Sequence, residues 1–215
     1  MKIQKLISFA AFAFIVTSMV KINGVFPSVI FIVSLSAHEG FHFICARFLG
    51  IDLSLPTVSV LGLRFDLKDV KVSGGKGALL YLSGSFGNLL FAAAALLISR
   101  AAYMPNAEFF VFYNFALAAV NLIPAYPMDA ARALQCILEK YMSELRAVEI
   151  TAFVSMLLGY IIFLGGIYLF LFKTDNAIPM VLGCLIFRSA AKEKADSQNA
   201  FVKSRINRYK NLYQK

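Results

Sequence analysis

The chain has 215 residues, of which 60% are hydrophobic and only 15% are charged, and its mean hydropathy is +0.73. A soluble domain has roughly half apolar and about a quarter charged residues. The composition therefore excludes a soluble domain and predicts a polytopic membrane protein. The net charge of +9 is typical of membrane proteins that keep basic loops in the cytoplasm. We therefore expect the protein to lie in a lipid bilayer and to bind no nucleic acid.

Two apolar helices are predicted at the start of the chain. Residues 6–20 are apolar, follow Lys2 and Lys5, and precede no small-residue cleavage site. We interpret them as a signal anchor that forms the first transmembrane helix. The second helix is predicted over residues 25–49, and Gly50 is a typical residue to end it.

The segment 51–77 differs from its surroundings. Apolar residues occupy every second position from 61 to 67, and a period of two predicts a half-buried strand. The parity then changes near Lys68 and Asp69, which indicates a turn or bulge. We predict a small β-hairpin at the membrane surface. It is either a connecting loop or an edge to which an extended substrate adds as a strand.

Four more apolar segments follow, and a more polar stretch over residues 128–146 predicts a surface helix. The predicted spans cover residues 78–99, 107–125, 148–172 and 177–191. The last has about 15 residues, against the roughly 20 needed to cross a bilayer. The predicted fold is an all-α polytopic membrane protein with about six transmembrane helices. We divide it into a membrane-embedded domain, residues 1–191, and a basic cytoplasmic tail, residues 192–215.

The basic residues predict the orientation. If six spans place both termini on one side, that side holds 18 of the 21 Lys and Arg residues, and the other side holds Lys21, Arg100 and Lys173. Short loops rich in Lys and Arg stay in the cytoplasm. The distribution therefore predicts cytoplasmic termini and indicates that the short last segment also crosses.

Both histidines of the chain lie in the second predicted helix, in the motif H-E-G-F-H at residues 38–42. Positions i and i+4 share one face of a helix, so His38 and His42 can bind one zinc ion together. Glu39 between them can act as a general base. The alternative is a chance match with two buried, hydrogen-bonded histidines. Ionisable groups inside a membrane segment are costly and usually functional, which favours the metal site.

A catalytic zinc ion takes three protein ligands and a water molecule. The chain has no third histidine, so the third ligand must be a carboxylate or a thiolate. Asp129 is the best placed, because it follows the fourth span directly. In the six-span topology it lies at the same cytoplasmic depth as His38 and His42. The aspartates of the segment 51–77 look like solvated charges.

Three motifs occur in order: H-E-G-F-H at residues 38–42, S-G-S-F-G-N at 83–88, and N-L-I-P-A-Y-P-M-D-A at 121–130. They resemble the H-E-x-x-H, S-G-P-x-x-N and N-x-x-P-x-x-P-x-D-G motifs of the site-2 protease family of intramembrane zinc metalloproteases. The chain most resembles the bacterial branch that includes stage IV sporulation protein FB. The similarity covers about residues 25–150.

The resemblance implies a mechanism. His38, His42 and Asp129 would hold Zn²⁺, which lowers the pKa of its bound water to ~7 and polarises the scissile carbonyl. Glu39 would take the proton of the water and deliver it to the leaving amine.

Two asparagines are candidates for contacts with the substrate. Asn121 is the first candidate for a donor to the tetrahedral oxyanion, and Asn88 is a second candidate that contacts substrate. For both residues, a helix-packing amide is the alternative role. A helical substrate must also unwind near the site, and the predicted hairpin could hold the extended strand.

The sequence departs from the family at three places. Ala130 stands where a glycine usually follows the ligand aspartate, Ser85 stands in place of proline, and Gly40-Phe41 stands in place of Leu-Gly. None of these changes removes a ligand or the base. We expect no nucleotide sensing, because only about 25 residues follow the last span, where the sporulation protease carries its regulatory domain.

The sequence thus predicts a zinc metalloendopeptidase in a bacterial cell membrane. It would cleave a membrane-bound precursor near the cytoplasmic face and release a regulator such as a sigma factor, as in sporulation. The expected partners are that membrane-bound substrate and an inhibitory membrane protein. The alternatives are a catalytically idle protease-like protein that binds and holds membrane partners, and a small transporter. The transporter is disfavoured because the polar residues cluster at one depth.

Overall fold

The computed structural model describes residues 17, 20–21, 24–52, 57–59, 62–64, 72–172 and 177–213. Within these ranges, helices α1, α2 and α5 are long and apolar enough to cross a membrane, and α3 is apolar but has only 15 residues. The elements in chain order are α1 (Val25–Phe48), β1 (Thr57–Ser59), β2 (Gly62–Arg64), α2 (Gly74–Ala101), α3 (Ala107–Asn121), α4 (Asp129–Leu138), α5 (Glu144–Phe172) and α6 (Ile178–Tyr213).

Helix α1 ends where the sequence predicts. Gly50 has a φ of 70°, a left-handed conformation that glycine adopts without a steric penalty. Its N–H donates to the carbonyl of Arg47 at 3.2 Å, and the N–H of Ile51 donates to Ala46 at 2.8 Å. These two bonds form a Schellman motif, which satisfies carbonyls at the end of the helix. The motif turns the chain away directly after the helix that carries both histidines.

The described residues divide into two compact units. The first contains α1, the two strands, α3 and most of α2. The second contains α4, α5, α6 and the first turn of α2.

In the first unit, small and polar side chains fill the interior. Helix α1 packs against α3, and β2 lies beside α1. Ala46 of α1 contacts Leu80 of α2 in an apolar cluster that also includes Ile51. The buried polar residues of this unit are Ser28, Ser34, His38, His42, Ser85, Asn88 and Asn114.

Strands β1 and β2 pair antiparallel, with Thr57 opposite Arg64 and Ser59 opposite Gly62. The predicted strand over residues 61–67 overlaps β2, but its other residues lie outside the described ones. The predicted turn near Lys68 and Asp69 also lies outside them. A β-hairpin at the membrane surface therefore stays a prediction.

In the second unit, α4, α5 and α6 pack around Tyr126, which is fully buried together with Ala131, Ala152 and Ala190. Helices α5 and α6 approach each other closely at their glycines. A Cβ atom added to Gly166 would lie 2.8 Å from Cα of Met180, whereas one added to Gly165 would meet nothing within 4 Å.

Two predicted boundaries change. Helix α3 ends at Asn121 rather than at residue 125, because Pro124 cannot continue a helix. At 1.5 Å per residue it is about 22 Å long, shorter than the ~30 Å apolar core of a bilayer. Helix α6 continues without a break from Ile178 to Tyr213, across the predicted border at residues 191–192. Most of the predicted first span lies outside the described residues. Six transmembrane helices and the division at residue 191 stay predictions.

Gly166→Ala should destabilise the protein by about 1–3 kcal/mol, the usual cost of overpacking, because the added methyl meets the backbone of α6. Gly165→Ala is the matched control. It should be neutral or stabilising, since alanine is favoured over glycine in a helix by about 1 kcal/mol. Thermal unfolding of both variants in one detergent measures the difference. Equal unfolding temperatures would contradict the close contact.

Candidate metal centre

The two histidines face one another across one turn of α1. His38 and His42 are both buried, their rings are nearly perpendicular at a centroid distance of 4.9 Å, and their Nε2 atoms lie 3.3 Å apart. The i, i+4 spacing predicted from the sequence therefore brings the same ring nitrogen of both residues to one point.

A hydrogen bond to Asn88 of α2 determines which nitrogen of His38 carries the proton. Nδ1 of His38 lies 2.6 Å from Oδ1 of Asn88. The amide of Asn88 is oriented by its other end, because Nδ2 donates to the carbonyl of Ser34 at 3.1 Å and to Oδ1 of Asn114 at 2.7 Å. Oδ1 must therefore face His38. Since that oxygen only accepts hydrogen bonds, Nδ1 of His38 is the protonated nitrogen.

His42 is oriented by the backbone of α2. Its Nδ1 lies 2.8 Å from the carbonyl oxygen of Leu80 and 3.2 Å from Oγ of Ser83. The hydroxyl of Ser83 itself donates to the Leu80 carbonyl at 2.7 Å. A carbonyl can only accept, so Nδ1 of His42 also carries the proton. In both rings, Nε2 is then the unprotonated nitrogen that can bind a metal ion.

This pattern is the usual one for metal-binding histidines. Such residues almost always donate their other ring N–H to a carboxylate, carbonyl or similar acceptor, which fixes the tautomer and the ring orientation. Here an amide oxygen and a backbone carbonyl serve as acceptors, and both lie on α2.

Glycine residues of α2 make room for the motif of α1. A Cβ atom at Gly84 would lie 2.6 Å from Nε2 of His42 and 2.7 Å from Nε2 of His38. A Cβ atom at Gly87 would overlap the ring of Phe41, which packs edge-on against Phe91 at 5.2 Å. The small residues of S-G-S-F-G-N therefore accommodate both the imidazoles and the unusual Phe41 of the histidine motif.

Asp129 is the first residue of α4 and is half-buried. Its helix is anchored within the second unit by a polar network. Arg132 pairs with Glu193 of α6 at 2.5 Å and lies over the ring of Tyr126, whose hydroxyl donates to Gln135 at 2.7 Å. Burial raises the pKa of Tyr126 above its usual value and outweighs the lowering effect of Arg132. The hydroxyl thus keeps its proton and remains a donor.

His38 and His42 belong to the first unit and Asp129 to the second, and each of these three side chains offers a ligand atom of a kind that binds metal ions. Asp129 stays a predicted third ligand. Glu39 is half-buried on α1, between the two histidines. Asn121 is half-buried at the end of α3, and its Nδ2 donates to the carbonyl of Leu117 at 2.9 Å. Asn88 is fully buried behind His38.

The residues that support the histidines do not stand out in the sequence motifs. Ser34 and Asn114 complete the hydrogen-bond network behind Asn88, with Nδ2 of Asn114 donating to Oγ of Ser34 at 2.8 Å. Both are polar residues within apolar helices, which is the signal that could have singled them out. The carbonyl of Leu80 has no sequence signal, because every residue has a carbonyl.

The structure is similar to that of the site-2 protease from Methanocaldococcus jannaschii. The TM-score is 0.64, the sequence identity is 22%, and the match covers 87% of this chain and 88% of that chain. No protein-family model and no curated protein sequence matches the chain. At this identity the likeness establishes a shared fold. The resemblance of the three motifs and the assignment to the sporulation branch stay predictions.

Gly84→Ala should abolish or strongly weaken zinc binding, because the methyl group would collide with both ligand nitrogens. Gly75→Ala on the same helix is the control, since its added Cβ meets nothing within 4 Å. Zinc content of the two purified variants, measured after equilibration with the same zinc buffer, tests this. Equal zinc content in the two variants would contradict a zinc site formed by the two imidazoles in the arrangement described.

Proposed function

We propose that the protein is an intramembrane zinc metalloendopeptidase. The observation that carries this proposal is the 3.3 Å separation of the two unprotonated Nε2 atoms of His38 and His42. Two nitrogens bound to one tetrahedral zinc ion at 2.0–2.1 Å lie about 3.3–3.4 Å apart. The fold shared with a site-2 protease supports the same assignment.

We assign the third ligand to Asp129. Three protein ligands and an open fourth position are the usual arrangement of a catalytic zinc site, and a carboxylate is a common third ligand. The position of Asp129 at the start of α4, directly after the segment with Pro124 and Pro127, agrees with the motif N-x-x-P-x-x-P-x-D of the family. Its anchored helix limits the motion of the carboxylate.

The proposed chemistry divides between the metal and three side chains. A bound zinc ion would supply Lewis-acid polarisation of the scissile carbonyl. Glu39 would accept a proton from the attacking water and later donate it to the leaving amine, so no net proton is consumed. Asn121 would donate a hydrogen bond to the developing oxyanion. Asn88 would position His38 and leave substrate contacts to other residues, because its amide is committed to His38, Ser34 and Asn114.

The substrate class follows from the membrane setting. A site carried by apolar helices would act on a membrane-bound protein, which must unwind locally because a helix hides its carbonyls. We propose that the edge of the β1–β2 pair, which lies beside α1, holds the unwound segment as an added strand. The basic residues support cytoplasmic termini and cleavage near the cytoplasmic face. Release of a transcriptional regulator in a bacterium, including a sigma factor in sporulation, is the proposed outcome.

A catalytically idle protein that holds membrane partners is the second candidate. It is motivated by Ala130, which replaces the usual glycine after the ligand aspartate. The other marked departure, Phe41, argues less for it, because Gly87 leaves the space that the ring occupies.

Asp129→Asn should weaken zinc binding at least roughly 10-fold, because an amide is a much poorer zinc ligand than a carboxylate. Asp52→Asn is the matched control, since the side chain of Asp52 is fully exposed and lies 3.9 Å from that of Arg47. Competition with a chromophoric chelator measures both affinities. Unchanged binding in Asp129→Asn would remove this residue from the ligand set.

Glu39→Gln should retain zinc and lose cleavage, because glutamine cannot accept the proton of the attacking water. Glu108→Gln is the control, because Glu108 is an exposed residue in the first turn of α3. Each variant is co-expressed with doubly tagged single-span membrane proteins encoded near its gene, and the fragments are followed on gels. Cleavage that persists in Glu39→Gln would exclude this residue as the base. Wild-type protein with stoichiometric zinc and no cleavage of the whole panel would favour the idle protein.

A further inference from the structure

We propose that Asn114 of α3 is a positioning residue that sets the tautomer of the ligand His38, acting through the amide of Asn88. The inference rests on the proposed function, because the tautomer of His38 affects activity only if His38 binds a metal ion. The residue lies outside the three sequence motifs and makes no direct contact with the histidines among the contacts that the structure gives.

The amide of Asn88 has two possible orientations. With Oδ1 toward His38, its Nδ2 donates to two acceptors, the carbonyl of Ser34 and Oδ1 of Asn114. In the reversed orientation, the amide oxygen would face these two acceptors, and its NH₂ group would face Nδ1 of His38. His38 would then have to accept at Nδ1 and carry its proton on Nε2. That tautomer cannot bind a metal ion through Nε2.

Asn114 can act as an acceptor for Asn88 only because its own amide is oriented. Its Nδ2 donates to Oγ of Ser34 at 2.8 Å and to the carbonyl of Phe110, one turn earlier, at 2.9 Å. Both partners hold the nitrogen away from Asn88 and leave Oδ1 facing it. A chain of oriented amides therefore leads from the backbone of α3 to the ring of His38.

Burial makes this orientation matter. Asn88, Asn114 and Ser34 are all 0% exposed, so bulk water cannot replace a lost partner. A buried donor without an acceptor is strongly unfavourable, and the network favours one arrangement of all its protons. His42 provides a contrast, because its Nδ1 partner is the Leu80 carbonyl, which does not depend on Asn114.

The chain offers a direct test because it contains only two histidines. Protein labelled with nitrogen-15 histidine and stripped of metal gives four ring-nitrogen signals, whose shifts distinguish protonated from unprotonated nitrogens. We expect Nδ1 to be protonated in both histidines of the wild type. Asn114→Leu should give a mixture of tautomers for His38 and leave His42 unchanged. Asn114→Asp should restore the wild-type pattern, because a carboxylate still accepts from Nδ2 of Asn88.

Zinc affinity gives the second readout. Loss of a residue that supports a metal ligand typically weakens metal binding 10–100-fold, and we expect roughly 10-fold for Asn114→Leu and less than about threefold for Asn114→Asp. A packing role alone would lower the unfolding temperature of the leucine variant without changing the tautomer of His38. An unchanged His38 signal in folded Asn114→Leu would therefore overturn the proposal.

A second pair of variants covers the case in which Asn114→Leu does not fold. Ser34→Ala removes one acceptor of the Asn114 amide, and it should shift the His38 tautomer in the same direction. Ser28→Ala is the matched control on α1, since that hydroxyl donates to the carbonyl of Gly24, the residue before the helix. An equal lack of effect in both would overturn the proposal. If wild-type protein binds no zinc while the tautomers respond as expected, the proposed function fails and the positioning role stands.

Discussion

The site depends on two hydrogen bonds that fix the Nδ1 protons of two buried imidazoles. In water either tautomer of histidine is available, and an incorrect one is corrected quickly. Within an apolar bundle, the partner of Nδ1 decides which nitrogen can bind a metal. His38 takes this partner from the side chain of Asn88, and His42 takes it from the backbone carbonyl of Leu80. Helix α2 supplies both acceptors, so its position relative to α1 controls which nitrogen is protonated in both imidazoles.

The composition of α2 follows from that requirement. The backbone of α2 must come close to the imidazoles, which only a residue without a Cβ permits at position 84. The same helix must also carry polar groups at the depth of the histidines, and these would be costly without partners. The stretch S-G-S-F-G-N meets both conditions. Gly84 leaves space for the imidazoles, and Ser83 and Asn88 provide hydrogen-bonding groups. A sequence optimised only for apolar packing would contain neither.

Much of this could be predicted from the sequence. The helical spacing of His38 and His42 follows from 3.6 residues per turn, and the end of α1 follows from the glycine at position 50. Asp129 is singled out as a third ligand because the histidines alone provide too few, and this assignment stays a prediction. The supporting residues could not be found in this way. The role of Asn114 depends on which neighbour its amide faces, and the Leu80 carbonyl becomes a ligand support only through the packing of two helices.

The boundaries of the later helices were predicted less well, for a different reason. Hydropathy detects where a segment becomes polar, and residues 192–213 are polar. Helix formation depends on backbone hydrogen bonds and on the absence of breakers, and no glycine or proline follows Gly183. The change in polarity therefore predicts the end of an apolar span but not the end of the helix, and α6 continues through it. The short α3 shows the converse case, since the apolar run continues to Ala125 but Pro124 ends the helix.

The length of α6 has a consequence for what the membrane can contain. A helix of 36 residues is about 54 Å long at 1.5 Å per residue, whereas the apolar core of a bilayer is about 30 Å thick. If this helix crosses the membrane upright, about 24 Å of it must lie outside the apolar core. With Ile178 at one boundary of the core, residues 203 and 205 would lie about 8–10 Å beyond the other boundary, so their basic side chains would stand at the level of the lipid headgroups.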